Sequence, residues 1–215
     1  MIELKYDHLV IGSTGLVGKR LLKSLSLQKK NIIAVSRRKI KDLPENVTEL
    51  IINFDTLDKT EFPKCNHIHN CLGTTIKSAK SKENFKKVDF DYSVTAAKKA
   101  LESGATEISI VSSVGADYNS NNFYLKIKGL LINKILTMGF DKVNVYQPGL
   151  LIGKRDEKRI LESIGQRIAF LIDPLLIGKM KKYRSIKVDT IVAHMIKPKM
   201  KGINYFHYED IINEK

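Results

Sequence analysis

Three glycines at triplet spacing, Gly12, Gly15 and Gly18, follow directly after the apolar segment Asp7–Ile11. The first permits a tight turn, the second lets backbone N–H groups approach a pyrophosphate at a helix start, and the third lets helix and strand pack closely. A glycine turn without a ligand is the alternative, and its place after the first strand makes it the weaker one. The spacing therefore predicts a chain that opens with a strand, a glycine-rich turn and a helix.

Apolar runs then alternate with segments of helical periodicity, a pattern typical of a parallel sheet covered by helices on both faces. Six strands are predicted: Asp7–Ile11, Asn31–Val35, Leu50–Ile52, His67–His69, Glu107–Val111 and Lys142–Tyr146. Right-handed crossovers between them give an α/β, doubly wound parallel sheet, the Rossmann fold, which binds ligands at the carboxyl ends of its strands.

A length of 215 residues favours a single domain. We expect residues 1–150 to form its core and residues 151–215 to form a short cap on the substrate side, with helices near 158–171 and 189–196. This tail is too short to build an independent core.

Charge and composition exclude several classes of protein. The net charge is +14, but 30 of the 37 basic residues are lysines scattered along the chain, so we expect a solvated basic surface and no nucleic-acid partner. No apolar stretch is long enough to span a membrane, and no secretion signal is apparent at the amino end. Two cysteines cannot form a disulfide framework, which favours a cytoplasmic location.

The end of the second predicted strand indicates which dinucleotide is bound. An acidic residue usually contacts the ribose 2′-hydroxyl of NAD there, but this chain has Ser36, Arg37 and Arg38, and Arg37 lies 19 residues beyond Gly18. A guanidinium group suits a 2′-phosphate, so NADPH is predicted ahead of NADH. Two solvent-facing arginines are the alternative. Asp55, after the third strand, could accept from the adenine amino group or cap a loop.

A candidate catalytic pair lies on a later helix. Tyr124 and Lys128 are four residues apart and point the same way, so the ammonium group can stabilise the phenolate and lower the pKa of the tyrosine. Ser113, at the end of the fifth strand, would hydrogen-bond the same substrate oxygen. These three residues predict proton exchange with a carbonyl or alcohol oxygen.

Together these motifs resemble the short-chain dehydrogenase/reductase superfamily in its atypical branch, and within it the family of the HIV Tat-interacting protein oxidoreductase. The resemblance covers residues 10–195. It rests on the ordered set Gly12–Gly15, Ser36–Arg38, Cys71–Thr75, Val111–Asp117, Asn122–Gly129, Pro148–Leu151 and Arg155–Arg159.

The resemblance implies NADPH binding by residues along most of this set. Ser13 would lie on the phosphates, Leu72 and Gly73 beside the adenosine, and Leu151 and Arg159 over the cofactor. Tyr124 and Lys128 would lie at the nicotinamide ribose. The full expected cofactor set is Gly12, Ser13, Thr14, Gly15, Leu16, Val17, Gly18, Ser36, Arg37, Arg38, Asp55, Leu72, Gly73, Thr74, Tyr124, Lys128, Leu151 and Arg159.

No metal site is expected. Cys65, His67, His69 and Cys71 alternate along one predicted strand, but at about 3.3 Å per residue the outer pair would be roughly 20 Å apart, too far for one ion. Neither cysteine has the basic neighbours that mark a nucleophile.

The function predicted from these residues is NADPH-dependent reduction of a small carbonyl substrate, with Tyr124 as proton donor. Two alternatives stay open: an NADPH-binding sensor with little turnover, and an epimerase-like enzyme that stores a hydride on its cofactor transiently. The substrate is not identified by any pattern, and a homodimer is possible.

Overall fold

The computed structural model describes residues 5–153 and 173–213. Its strands are β1 (Tyr6–Ile11), β2 (Ile32–Ser36), β3 (Val47–Ile51), β4 (Cys65–Asn70), β5 (Glu107–Val111), β6 (Lys142–Tyr146), β7 (Leu151–Ile152), β8 (Ile186–Lys187) and β9 (Gly202–Phe206). Seven of them form one parallel sheet in the order β3-β2-β1-β4-β5-β6-β9, and β7 pairs with β8 separately.

The helices are α1 (Leu16–Leu27), α2 (Ile76–Ala79), α3 (Lys82–Lys86), α4 (Tyr92–Glu102), α5 (Phe123–Leu136), α6 (Val188–Met195) and α7 (Tyr208–Asn213). A π-helical turn, Lys87–Asp91, joins α3 to α4, so the helical segment from Lys82 to Glu102 is continuous but not uniform. Short 3₁₀ segments are Phe54–Lys59, Asp173–Leu175 and Gly178–Tyr183. None of the helices in the described ranges combines the length and apolar character that crossing a bilayer requires.

Local sequence explains the central elements. All five residues of β2, Ile-Ile-Ala-Val-Ser, are buried, as expected for a parallel strand covered on both faces. Helix α1 buries Val17, Leu21, Leu22 and Leu25, which form one stripe at helical spacing. The apolar stripe of α1 therefore packs against apolar residues of the sheet.

The sheet separates two apolar layers. One contains Leu9, Ile68 and Ile108 of the sheet together with residues of α4 and α5, and the other contains Val10 and Ala34 with residues of α1 and α6. Burying each large aliphatic side chain contributes about 1.5–3 kcal/mol. Helices on both faces of a parallel sheet are the layers of a doubly wound fold.

The strand order reverses between β1 and β4. The chain runs outward from β1 through β2 to β3 and then returns to β4 on the other side of β1. In such sheets, ligands bind in the crevice at the carboxyl ends of the strands beside this switch point. The predicted α/β Rossmann architecture is confirmed.

The tail adds a strand that the sequence analysis did not predict. Strand β9 pairs with β6 along its whole length, from Lys142 with Gly202 to Tyr146 with Phe206. As an edge strand with three exposed residues it lacks a continuous apolar run, and therefore gives a weak signal. Helix α6 agrees with the helix predicted near 189–196, whereas the helix predicted near 158–171 lies outside the described residues.

A row of polar side chains crosses one face of the sheet beneath the apolar layer. His67 on β4 hydrogen-bonds Ser109 on β5 at 2.9 Å (Nε2 to Oγ), and Asn144 on β6 donates to Ser109 at 3.3 Å. Asn204 on β9 donates to Asn144 at 3.0 Å. His8 on β1 extends the row, because its register partner is His67.

Burial of this row makes stability depend on pH. Burial lowers the pKa of His8 from 6.5 to about 4 and lowers the pKa values of His67 and His69 well below 6.5. The unfolded chain therefore binds more protons below pH 6.5, and the stability present above that pH is lost as the pH falls toward 4. His8 alone accounts for up to about 3 kcal/mol of this loss.

Denaturant unfolding in EDTA buffers between pH 7 and 4 measures this dependence, since EDTA removes metal ions that compete with protons for imidazole. The free energy of unfolding should fall steadily below pH 6.5, and less steeply in His8→Gln. An unfolding free energy that is constant between pH 6.5 and 5 in the wild-type protein contradicts the assignment.

Candidate functional site

The glycine turn between β1 and α1 is packed closely against backbone atoms. Gly12 has φ +78, and a Cβ there would lie 2.5 Å from the carbonyl carbon of Cys71. A Cβ on Gly18 would lie 2.3 Å from the carbonyl oxygen of Gly12. No side chain fits at either position, which confirms the predicted turn at Gly12 and close packing at Gly18.

The amino end of α1 can accept an anion. Gly15 is its N-cap, its first turn contains no acidic residue, and no side chain of the described residues caps it. The free N–H groups and the helix dipole give this end a partial positive charge. Thr14 and Gly15 are exposed beside it, and Leu16 is half-buried.

Two residues of the predicted cofactor set direct their side chains away from this end. The buried Ser13 hydroxyl donates to the Val35 carbonyl oxygen at 2.9 Å, and Val17 packs in the apolar layer under α1. Any phosphate contact from Ser13 or Val17 would therefore come from the backbone.

The arginine loop, which follows β2 and contains Arg37 and Arg38, is fixed by hydrogen bonds. The buried Ser36 hydroxyl donates to the Arg38 carbonyl oxygen at 2.6 Å, and the Ile40 N–H donates to a Glu49 carboxylate oxygen at 2.6 Å. Arg37 and Arg38 are exposed, and the Arg37 guanidinium carbon lies 5.8 Å from the centre of the Phe54 ring. The loop thus presents two guanidinium groups at the carboxyl end of β2.

Asp55 faces the same region from the 3₁₀ segment after β3. Its carboxylate accepts from the Tyr92 hydroxyl and lies 2.6 Å from the Lys87 ammonium. The hydrogen bond from Lys87, followed by that from Tyr92, lowers the pKa of Asp55. Contact of this charged group with adenine stays a prediction.

A buried ion pair lies under the loop that follows β4. The Lys128 ammonium is 2.8 Å from Oδ1 of Asp89, and their side chains are 5% and 0% exposed. The Thr74 N–H donates to Oδ2 of Asp89 at 2.9 Å, and a Cβ on Gly73 would lie 3.6 Å from the Lys128 ammonium. The pair therefore joins α5, the π-helical turn and the loop containing Leu72, Gly73 and Thr74.

Asp89 is the residue that the sequence analysis missed. Burial raises its pKa, and the attraction of Lys128 and the Thr74 N–H oppose that rise. The only signal in the sequence is that Asp89 lies four residues after the apolar Phe85, and its partner Lys128 is 39 residues further along the chain. π-helical turns often occur at functional sites.

The predicted catalytic residues reach the same edge of the sheet. Tyr124 is half-buried one turn before Lys128, with its ring centre 5.5 Å from that of Phe85. Ser113 is half-buried after β5, and its hydroxyl donates to the Val114 carbonyl oxygen at 3.3 Å. Because the Asp89 carboxylate pairs with the Lys128 ammonium, Tyr124 lies beside a charge pair and not beside a lone cation.

Leu151 and Arg159 are the remaining residues of the predicted cofactor set. Leu151 is half-buried on β7, whereas Arg159 lies outside the described residues. Burial raises the pKa of the Cys65 thiol to about 11 and that of Cys71 to about 12, which agrees with the expectation that neither is a nucleophile.

Fold and site together define a class of protein: a doubly wound α/β protein with a glycine turn at the switch point and a Tyr–Lys helix beside it. A family model described as the NAD dependent epimerase/dehydratase family matches residues 8–122. The chain belongs to this family of NAD(P)-binding, atypical short-chain dehydrogenase/reductases.

Two relatives illustrate how much of the chain is shared. The "Protein FMP52-1, mitochondrial" of Scheffersomyces stipitis is 34% identical over 186 residues, covering 77% of this chain and 80% of the relative. The "Protein HTATIP2" of Rattus norvegicus is 33% identical over 167 residues, covering 74% and 68%. The predicted resemblance to the Tat-interacting protein family is thereby confirmed.

Solved structures share the fold at low sequence identity. UDP-glucose 4-epimerase of Thermotoga maritima has a TM-score of 0.69 at 14% identity and covers 95% of this chain and 77% of its own. MoeE5, solved in complex with UDP-glucuronic acid and NAD, has a TM-score of 0.70 at 14% identity, with 93% and 75% covered. These similarities confirm the fold.

The buried pair gives a test of the site's construction. Asp89→Asn leaves the Lys128 ammonium buried without a counter-charge, which should lower the free energy of unfolding by about 3–5 kcal/mol. Asp91→Asn is the matched control, because Asp91 pairs with Lys86 at 2.9 Å with both side chains nearly half exposed. The control should cost about 1 kcal/mol or less.

Denaturant unfolding of both variants at neutral pH measures the difference. Equal losses in the two variants would mean that burial does not distinguish the Asp89 pair from a surface pair.

Proposed function

We propose that the protein is an NADPH-dependent oxidoreductase of the atypical short-chain dehydrogenase/reductase type, which reduces a small carbonyl substrate. One observation carries the proposal: Gly12 packs against Cys71, and two residues later Gly73 packs against Lys128. The amino end of α1, where the phosphates would lie, and the face of α5 that carries Tyr124 and Lys128 therefore border the same crevice. A single dinucleotide could extend from one to the other.

The roles of the chain's own residues follow from this placement. NADPH held in this crevice would supply the hydride for the carbonyl carbon. Tyr124 gives its hydroxyl proton to the carbonyl oxygen, which completes the alcohol, and Ser113 holds that oxygen by a hydrogen bond. Lys128, held by Asp89, would hydrogen-bond the ribose hydroxyls and fix the nicotinamide beside Tyr124.

The preference for NADPH rests on the arginine loop. Arg37 and Arg38 are exposed at the carboxyl end of β2, and the Phe54 ring beside Arg37 restricts where its guanidinium can lie. A planar guanidinium forms two parallel hydrogen bonds to a phosphate, and NADH has no 2′-phosphate to receive them. The carboxylate of the neighbouring Glu49 accepts a hydrogen bond from the Ile40 N–H.

Replacing Arg37 should change the choice of cofactor. A charge-assisted hydrogen bond is worth about 1.5–3 kcal/mol, so Arg37→Glu should weaken NADPH binding by about 10–100-fold and leave NADH binding nearly unchanged. Fluorescence titration with both nucleotides measures the ratio. Lys41→Glu makes the same charge change on an exposed residue four positions later and serves as the control. Equal losses in the two variants would indicate a general effect of charge and no 2′-phosphate site.

Replacing Tyr124 should separate binding from chemistry. General acid catalysis contributes typically about 10²–10⁴-fold, so Tyr124→Phe should lower kcat/KM by that factor while NADPH still binds. NADPH consumption against aldehydes, ketones and quinones is the assay. Tyr118→Phe, on a side chain that is 49% exposed, is the control. An unchanged rate in Tyr124→Phe would remove this residue from the mechanism.

The buried pair favours one alternative function. Because Asp89 lies 2.8 Å from Lys128, the ammonium group is already paired with a carboxylate and does not act on Tyr124 as a lone positive charge. A protein that binds NADPH and reports its presence to a partner needs no activated tyrosine. Tight, Arg37-dependent NADPH binding without turnover on any carbonyl would support this sensor.

We also propose a reducing compartment, the cytoplasm, as the place of action. Cys65 and Cys71 are both free thiols, and a reducing environment keeps them so. The name of the FMP52 relatives refers to mitochondria, so imaging of the tagged protein in its own cells is the deciding measurement.

A further inference from the structure

We propose that the protein binds one zinc ion through the imidazoles of His8, His67 and His69. His8 lies on β1 and the other two on β4, and the parallel register sets His8 beside His67. His67 and His69 are two residues apart on a strand, so both side chains point to the face that carries His8. Three imidazoles from two neighbouring strands thus meet on one face of the sheet.

Their geometry is close to that of a zinc site. One ring nitrogen from each histidine lies within 4.8 Å of the other two. Nδ1 of His8 is already 3.1 Å from Nε2 of His69, and the ring centres of His67 and His69 are 3.8 Å apart. Zinc–nitrogen bonds of about 2.0–2.1 Å place tetrahedral ligand atoms about 3.3 Å apart, so small rotations of the rings complete the site.

The chemistry of the group also suits zinc. Three histidines with a fourth position for water are a common ligand set for this ion, and imidazole binds in its neutral form. His69 is fully buried, and its Nδ1 has no hydrogen-bond partner among residues 5–153 and 173–213. A ring flip exchanges the two nitrogens of His69, so either one can face the other two imidazoles.

Outer partners for His67 are in place. Nε2 of His67 lies 2.9 Å from the Ser109 hydroxyl, and its Nδ1 lies 3.6 Å from a Glu107 carboxylate oxygen. A zinc-bound histidine usually uses its second nitrogen for such a hydroxyl or carboxylate, so zinc would replace one of these two contacts of His67 and retain the other. Asn144 donates to the same Glu107 oxygen at 2.8 Å, which orients the carboxylate. His8 is only half-buried and gives the ion a path from solvent.

The position of the group indicates a structural role. His8 is the third residue of β1, three residues before the strand reaches its carboxyl end at Ile11, and the glycine turn lies beyond that end. An ion shared by His8 and His67 would join β1 to β4 across the switch point of the sheet. Zinc should therefore stabilise the fold whether or not NADPH is bound.

Calorimetric titration of the untagged, EDTA-treated and desalted protein with zinc chloride tests the proposal. We expect one ion per chain. Removing a ligand should cost at least the roughly 100-fold in affinity that losing an outer partner can cost, so His8→Gln should bind zinc at least about 100-fold more weakly. His207→Gln removes an imidazole outside the group and should bind as tightly as the wild type. Absence of zinc binding, or equal binding by all three proteins, overturns the proposal.

A second measurement uses the wild-type protein alone and so does not depend on the folding of a variant. In a chain with ¹⁵N-labelled histidine, zinc should shift the imidazole resonances of three of the five histidines and leave two in place. Assignment of the shifted set to residues other than His8, His67 and His69 overturns the site. NADPH titration in the same samples shows independently whether the cofactor site is intact.

Discussion

The parallel pairing of β1 with β4 is the constraint on which the rest of the structure depends. It joins segments that are about 60 residues apart in the chain, and its register runs from Tyr6 with Cys65 to Ile11 with Asn70. Beyond the ends of these strands, the same pairing presses Gly12 against the backbone of Cys71. One strand pair therefore shapes the floor of the crevice and also the face that carries the histidines.

The contact between Gly12 and Cys71 allows little change of residue type at Gly12, because backbone atoms lie on both sides of it. A Cβ at Gly12 would meet carbonyl atoms 2.5 Å away, and backbone cannot move aside as a flexible side chain can. The loop after β4 is then fixed a second time, since Asp89 accepts from the Thr74 N–H while pairing with Lys128. A buried ion pair stabilises the fold little by itself, but arrangements that leave either charge buried and unpaired are strongly disfavoured. Contacts within the chain itself thus define the shape of the crevice.

Particular residues show which parts of the fold and of the candidate site could be predicted from the sequence. The glycine spacing was sufficient for the first strand, turn and helix, because only glycine fits there. Arg37 and Arg38 were predicted to contact the cofactor from their distance from Gly18 along the chain, and this role stays a prediction. Asp89 was missed because its partner Lys128 is far away in sequence, and strand β9 was missed because an exposed edge strand has no apolar run.

The histidines separate most clearly what each level of structure determines. Spaced along β4 and the residue that follows it, Cys65, His67, His69 and Cys71 cannot hold one ion, and nothing in their spacing points to His8. The parallel register supplies His8 as the third imidazole, beside His67. By itself, the sequence determined the fold class, the glycine turn and the candidate cofactor residues, since these depend on local spacing and residue type. Only the tertiary structure decided the Asp89–Lys128 pair and the histidine group, because contacts between distant segments depend on strand order and register.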